Sequence, residues 1–215
     1  MKSPEKLEQE FEFFFTSIGF ERVSHYLGKS PSFKNADFIK VQDQIIVELK
    51  ILDKDFFREG GIIDRFHSFL PIPKNVDENG FGLYEFKFPP VNRKGRHDTF
   101  EEPLRKNLKN ANKQIKETKN AFFSGKGYGF VVFVLNQFQS LDPQIIVEML
   151  CELMNEEFSS TNGFILCSPS WKPATFERNP ICVSVSRTSS SEEARKHIYD
   201  IGKAWGVFVD AGGHG

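Results

Sequence analysis

The segment Ile45-Ile46-Val47-Glu48-Leu49-Lys50-Ile51-Leu52 constrains the fold more than any other stretch of this chain. Six of its eight residues are aliphatic, and they fall on both faces of an extended backbone. A strand that is apolar on both faces belongs in the middle of a sheet covered from both sides. Residues two apart in a strand share a face, so Glu48 and Lys50 project together. Placing a carboxylate and an ammonium there costs on the order of several kcal/mol unless they are paired or bound to a cation. A salt bridge at the strand's exposed end and a bound cation both satisfy that requirement.

Around this strand the chain alternates between two periodicities. Leu7, Phe11, Phe14, Phe15 and Ile18 recur at helical spacing, with Ser3-Pro4 as a start and Gly19 as a stop. Strands are expected at 20–27 and 36–41. From Asp53 to Glu101 the pattern dissolves among Gly60-Gly61, Pro71, Pro73, Gly80 and Pro89-Pro90, leaving a short helix near 63–69 and a strand near 81–88. Beyond it come a helix over 102–123, a buried strand over 128–135, a helix over 143–158, strands at 163–167 and 181–186, and a helix over 192–203. Ser190 and Glu193 have the spacing of a capping box for that last helix. This order predicts a single α/β domain over 1–215 with a mixed sheet flanked by helices, an insertion at 53–101 and a C-terminal α/β extension at 141–215.

Composition narrows the class further. A hydrophobic fraction of 39% with 27% charged residues suits an ordered globule and excludes global disorder. The longest apolar run, Tyr128–Leu135, is eight residues, less than half of a membrane span. No leader pattern opens the chain, and Cys151, Cys167 and Cys182 lack a Cys-x-x-Cys pair, so they read as reduced core thiols of a cytoplasmic protein. The 24 phenylalanines read as core filling. The net charge of −1 hides an asymmetry: Arg93 to Lys126 carries ten Lys or Arg against four Asp or Glu, so the remainder carries −7. A basic segment of that kind can hold a polyanion locally.

An acid-x-Lys tripeptide occurs three times, at Glu48-Leu49-Lys50, Glu85-Phe86-Lys87 and Glu117-Thr118-Lys119. The last lies in a helix, where positions two apart diverge, and the second precedes Pro89-Pro90, which suits an edge strand. Only the first sits in a central strand and follows another expected strand bearing an acid, Asp37, eleven residues earlier. Lys34-Asn35-Ala36-Asp37-Phe38 followed by Ile46-Val47-Glu48-Leu49-Lys50 resembles the pattern of the PD-(D/E)XK nuclease superfamily, with Ala36 where proline is usual. The opening helix, Leu7-Glu8-Gln9-Glu10-Phe11 through Ser17-Ile18-Gly19-Phe20, is similar to that of archaeal Holliday-junction resolvases, which places Glu8 at their metal-site glutamate.

The resemblance implies a restriction-endonuclease-like αβββαβ core and a Mg²⁺- or Mn²⁺-dependent endonuclease acting on DNA. It implies Asp37, Glu48 and the Leu49 carbonyl as metal ligands, with Glu8 completing the site, and Lys50 acting on the attacking water. Hard oxygen donors of this kind suit a hydrated Mg²⁺. Gln114, at the edge of the next helix's apolar stripe, takes the auxiliary position that relatives fill with Lys or Gln. On that helix Leu104, Leu108, Ala111, Ile115, Thr118 and Phe122 form a buried stripe. Arg105, Lys106, Lys109, Lys113, Lys116 and Lys119 fall within about 140° on roughly the other side, a candidate phosphate-tracking face. Cutting both strands of a duplex takes two centres, which is compatible with a homodimer. The alternative keeps the fold without turnover: a nucleic-acid-binding or assembly subunit whose acids merely pair with Lys50. His67 and His97 carry little weight as catalytic or ligating residues. Gly125-Lys126-Gly127-Tyr128-Gly129 reads as a helix stop leading into a strand.

Overall fold

A computed structural model describes residues 3–27, 33–53, 72–76, 82–85, 93–136, 143–168 and 181–212. The expected short helix near 63–69, together with His67, lies outside them.

The chain opens with helix α1 (Pro4–Ser17), where the Ser3 hydroxyl accepts from the Lys6 N–H and Gly19, at φ +85°, turns the backbone out of the helix. Three strands then run back and forth: β1 (Glu21–Arg22), β2 (Phe38–Lys40) and β3 (Ile45–Leu52), with the short helix α2 (Ser24–Leu27) after β1. The strand expected over 20–27 is therefore only two residues long. The chain turns at Val23, whose N–H donates to the Asp37 carbonyl, and the next residues coil into α2. Strands β4 (Ile72–Val76) and β5 (Gly82–Glu85) form a two-stranded antiparallel sheet of their own.

Helix α3 runs from Arg93 to Phe123, nine residues earlier than expected, with Pro103 inside it. Proline is best tolerated in a first turn, whereas Pro103 lies well inside α3. Strand β6 (Tyr128–Leu135), helix α4 (Pro143–Glu157), strands β7 (Gly163–Ser168) and β8 (Ile181–Ser186) and helix α5 (Glu192–Asp210) complete the chain. Six strands form one mixed open sheet in the order β1-β2-β3-β6-β7-β8, with β3, β6 and β7 parallel and both edges antiparallel.

Two cores flank this sheet. One packs Ile46, Val131, Phe133, Phe164 and Leu166 against α3 and α4. The other packs Val47, Leu49, Phe130, Val132 and Ile165 against α1 and α5. Much of the phenylalanine excess sits in the second core, where Phe11 stacks on Trp205 at 4.2 Å and Phe14 meets the same indole edge-on at 5.0 Å. Helix α5 is capped by Ser191, which accepts from the Ala194 N–H, one residue later than expected. The Ser190 hydroxyl instead donates to the Asn162 carbonyl at 2.7 Å. No helix among the described residues is long and apolar enough to cross a membrane.

Candidate metal and phosphate site

Strand β3 lies between β2 and β6, and its alternation assigns its polar pair to one side. Ile46 faces the α3–α4 core while Val47 and Leu49 face the α1–α5 core, so Glu48 and Lys50 point towards α3. Glu48 is 1% exposed. Its Oε1 pairs with the Lys50 ammonium, which also donates to Gln114 Oε1 at 3.1 Å. Gln114 Nε2 in turn donates to the Asn35 carbonyl at 2.9 Å. One turn further along α3, Thr118 Oγ1 accepts from the Ala36 N–H at 2.9 Å. Two α3 side chains thus grip the backbone immediately before Asp37 and set that residue opposite β3. Asp37 Oδ2 then accepts from the Leu49 N–H at 2.8 Å.

Among the described residues, Glu48 Oε2 is buried with no hydrogen-bond donor, and the other carboxylate beside it is that of Asp37. Burial, and then the neighbouring Asp37 carboxylate, push the Glu48 carboxyl up to about 8 against the opposing pull of Lys50. Burial also raises Asp37, outweighing the Leu49 N–H, Lys50 and Arg22. A buried carboxylate oxygen with no donor is costly, on the order of 1–3 kcal/mol or more when charged. Two such acids side by side, one with an unused oxygen, are the donor set a small hard cation would satisfy. The residues therefore fit a divalent ion between Asp37 and Glu48. Among the described residues no three His, Cys, Asp or Glu side chains are grouped to hold one ion as they stand.

Glu8, expected beside these acids, stands near enough to add to the rise of the Asp37 carboxyl, and it is engaged by Arg22 of β1. Arg22 Nη2 lies 3.1 Å from Glu8 Oε1 and 2.9 Å from Glu12 Oε2, and Nη1 lies 3.7 Å from Asp37 Oδ1. Its guanidinium carbon sits 4.6 Å from the Phe38 ring centroid. Neither Arg22 nor Glu12 was singled out from the sequence. The available signal was the Glu8/Glu12 spacing, which puts both acids on one face of α1.

The basic face of α3 is narrower than expected. Lys106, Lys109, Lys113 and Lys116 are exposed, Lys113 with Glu117 at 3.7 Å. Arg105 is half-buried and paired with Glu157 of α4. Lys119 is buried, donating to the Ser160 carbonyl at 2.9 Å and Asn162 Oδ1 at 3.1 Å, and burial lowers its ammonium to about 8. Both residues leave the proposed phosphate surface. At 100° per residue Lys119 points only about 20° from Leu108, so it flanks the apolar stripe and its stem follows that stripe inward. The glycine run ends α3, with φ +82° at Gly125 and +84° at Gly127. A cavity of about 240 Å³ opens at the other end of β3, beside Ile45, Lys40, Asp43 and His197, and contains none of the candidate site residues. No family model matches the chain, and no curated protein or solved structure matches it either.

Proposed function

We propose that this protein is a divalent-metal-dependent endonuclease that hydrolyses phosphodiester bonds of DNA on a restriction-endonuclease-like core. The succession α1, antiparallel β1-β2-β3, α3 and a β6 parallel to β3 is the αβββαβ order that the sequence resemblance implies, and it supports this reading. The observation that carries the proposal is the unpartnered Glu48 Oε2, buried beside Asp37 and one residue pair from Lys50.

Asp37 and Glu48, with the Leu49 carbonyl, would hold Mg²⁺ or Mn²⁺. The bound ion would supply charge neutralisation at the scissile phosphate and an acidified water. Lys50, held between Glu48 and Gln114, would orient the attacking water and offset the charge developing on the phosphate oxygens. Gln114 is a positioning residue, fixing Lys50 through one end of its amide and the β2 approach through the other. Lys106, Lys109, Lys113 and Lys116 offer the phosphate-tracking face of the same helix that carries Gln114. A homodimer would bring two such centres to one duplex.

A second reading has its own observation. Arg22 and Lys50 already pair with the acids, as they would in a DNA-binding or assembly subunit without turnover. Cleavage of plasmid and oligonucleotide DNA with Mg²⁺ or Mn²⁺ separates the two. The nuclease reading expects cleavage that EDTA stops and that Asp37→Ala and Lys50→Ala both abolish. Cleavage surviving both substitutions rejects the site, and binding without any cleavage favours the silent subunit.

A further inference from the structure

Four carboxylates gather at this end of the sheet, Glu8 and Glu12 from α1, Asp37 before β2 and Glu48 from β3. Two cations stand among them, Arg22 and Lys50. We infer that Arg22 is the resident counter-ion of the Glu8–Glu12 half of this cluster and limits the site to a single divalent ion. The inference rests on the metal-dependent reading above and assigns a role to a residue which that reading does not use.

The geometry separates the cluster into two halves. In the first, one guanidinium nitrogen serves both α1 glutamates at 3.1 and 2.9 Å, distances of charge-assisted hydrogen bonds. Glu8 and Glu12 are one helical turn apart, so a single planar fork reaches both without distorting α1. In the second half, among the described residues, Glu48 Oε2 has no donor, and Arg22 approaches Asp37 Oδ1 at the longer distance of 3.7 Å. The donors left for an ion therefore converge from Asp37 and Glu48, while Glu8 is already occupied.

Charge gives the same count. Once an ion displaces the Glu48 proton, four ionised carboxylates stand against Arg22 and Lys50 and leave two negative charges, those that one divalent ion neutralises. Without Arg22 three would remain, and two α1 carboxylates would be freed beside Asp37. Arginine holds its proton under all ordinary conditions, so this compensation does not titrate away. The side chain is 16% exposed and its fork is directed at carboxylates, which leaves it poorly placed to take a substrate phosphate. Phe38, which follows Asp37 and opens β2, carries the guanidinium on its ring and so ties Arg22 to the backbone beside that acid. Arg22 is thus a positioning residue: it fixes α1 to the site and occupies the place of a second ion.

Mn²⁺ titration of the full-length protein, read by calorimetry and by the electron paramagnetic resonance of free Mn²⁺, tests this without any activity measurement. The wild type is expected to take up one ion per chain, Arg22→Gln two, and Arg22→Lys, which restores the charge, one. Should Arg22→Gln not fold, the double variant Glu8→Gln/Glu12→Gln is expected to keep the single ion with an affinity within about twofold of wild type. Two ions in the wild type, or one ion of unchanged affinity in Arg22→Gln, overturn the inference and leave the nuclease reading intact. Loss of the single ion in the double glutamate variant likewise overturns it. No ion in either wild type or Arg22→Gln overturns both.

Discussion

The buried Glu48 carboxyl makes stability depend on pH with a sign opposite to that of an ordinary salt-bridged acid. In the unfolded chain it releases its proton near 4.5, whereas in the folded protein it holds it to about 8. Between those values the folded state binds more protons, so stability falls as pH rises. The interval corresponds to about 5 kcal/mol at most, at roughly 1.36 kcal/mol per pH unit. Asp37, raised in the same direction, adds to that decline. Lys119 works in the adjoining window. Its ammonium loses its proton near 8 when folded but near 10.5 when unfolded, so stability recovers above pH 8, by about 3 kcal/mol. The two effects together predict a stability minimum near pH 8.

Urea unfolding at pH 5 to 10, followed by intrinsic tryptophan fluorescence, to which Trp205 contributes from its phenylalanine cage, measures both limbs. Glu48→Gln should flatten the acidic limb and exceed the wild type at pH 8, while Lys119→Met should flatten the alkaline one. Mg²⁺ should stabilise the wild type more at pH 8 than at pH 5, because it binds the ionised acids. Wild-type stability that is level from pH 5 to 8, or an unchanged slope in Glu48→Gln, would refute the reasoning.

Further consequences concern the helix face and the cores. Lys109→Ala, Lys113→Ala and Lys116→Ala should each weaken DNA binding alike across sequences and lower the salt slope by about 0.9, measured by fluorescence anisotropy at several salt concentrations. Lys119→Ala should leave that slope unchanged. Trp205→Ala should cost about 3–5 kcal/mol in urea unfolding, since it empties the α1–α5 core. Gly129→Ala should destabilise by about 1–3 kcal/mol, because a methyl there would clash with Ile115 Cγ2 and the Ser160 carbonyl oxygen.

The parts of this fold legible in the sequence are those where one physical requirement dominates. Strands β3 and β6 begin and end where their apolar runs do, because burial on both faces leaves little room for another solution. Residues 20–27 were misread because an edge segment has few neighbours to hold it extended. Two residues pair with β2, and the rest coil. Ser190 and Ser191 offered two caps for α5, and a tertiary acceptor, the Asn162 carbonyl, decided between them.

The site divides in the same way. Glu48, Lys50, Asp37 and Gln114 were identified from strand alternation, helix phase and a family resemblance, and the fold brings them together. Arg22 was invisible because its partners lie 10, 14 and 15 positions away, and only folding joins them. Lys119 was assigned to solvent because a helical wheel records direction and not reach. The buried Asn162 amide and Ser160 carbonyl that receive it belong to another element.

The central claim is that Asp37 and Glu48 share one divalent ion. Diffraction from crystals soaked in Mn²⁺, recorded at the manganese absorption edge, addresses it directly. One anomalous peak within coordination distance of Asp37 Oδ1 and Glu48 Oε2 is the predicted result. Manganese bound only elsewhere, with these two carboxylates turned away from each other, would contradict it.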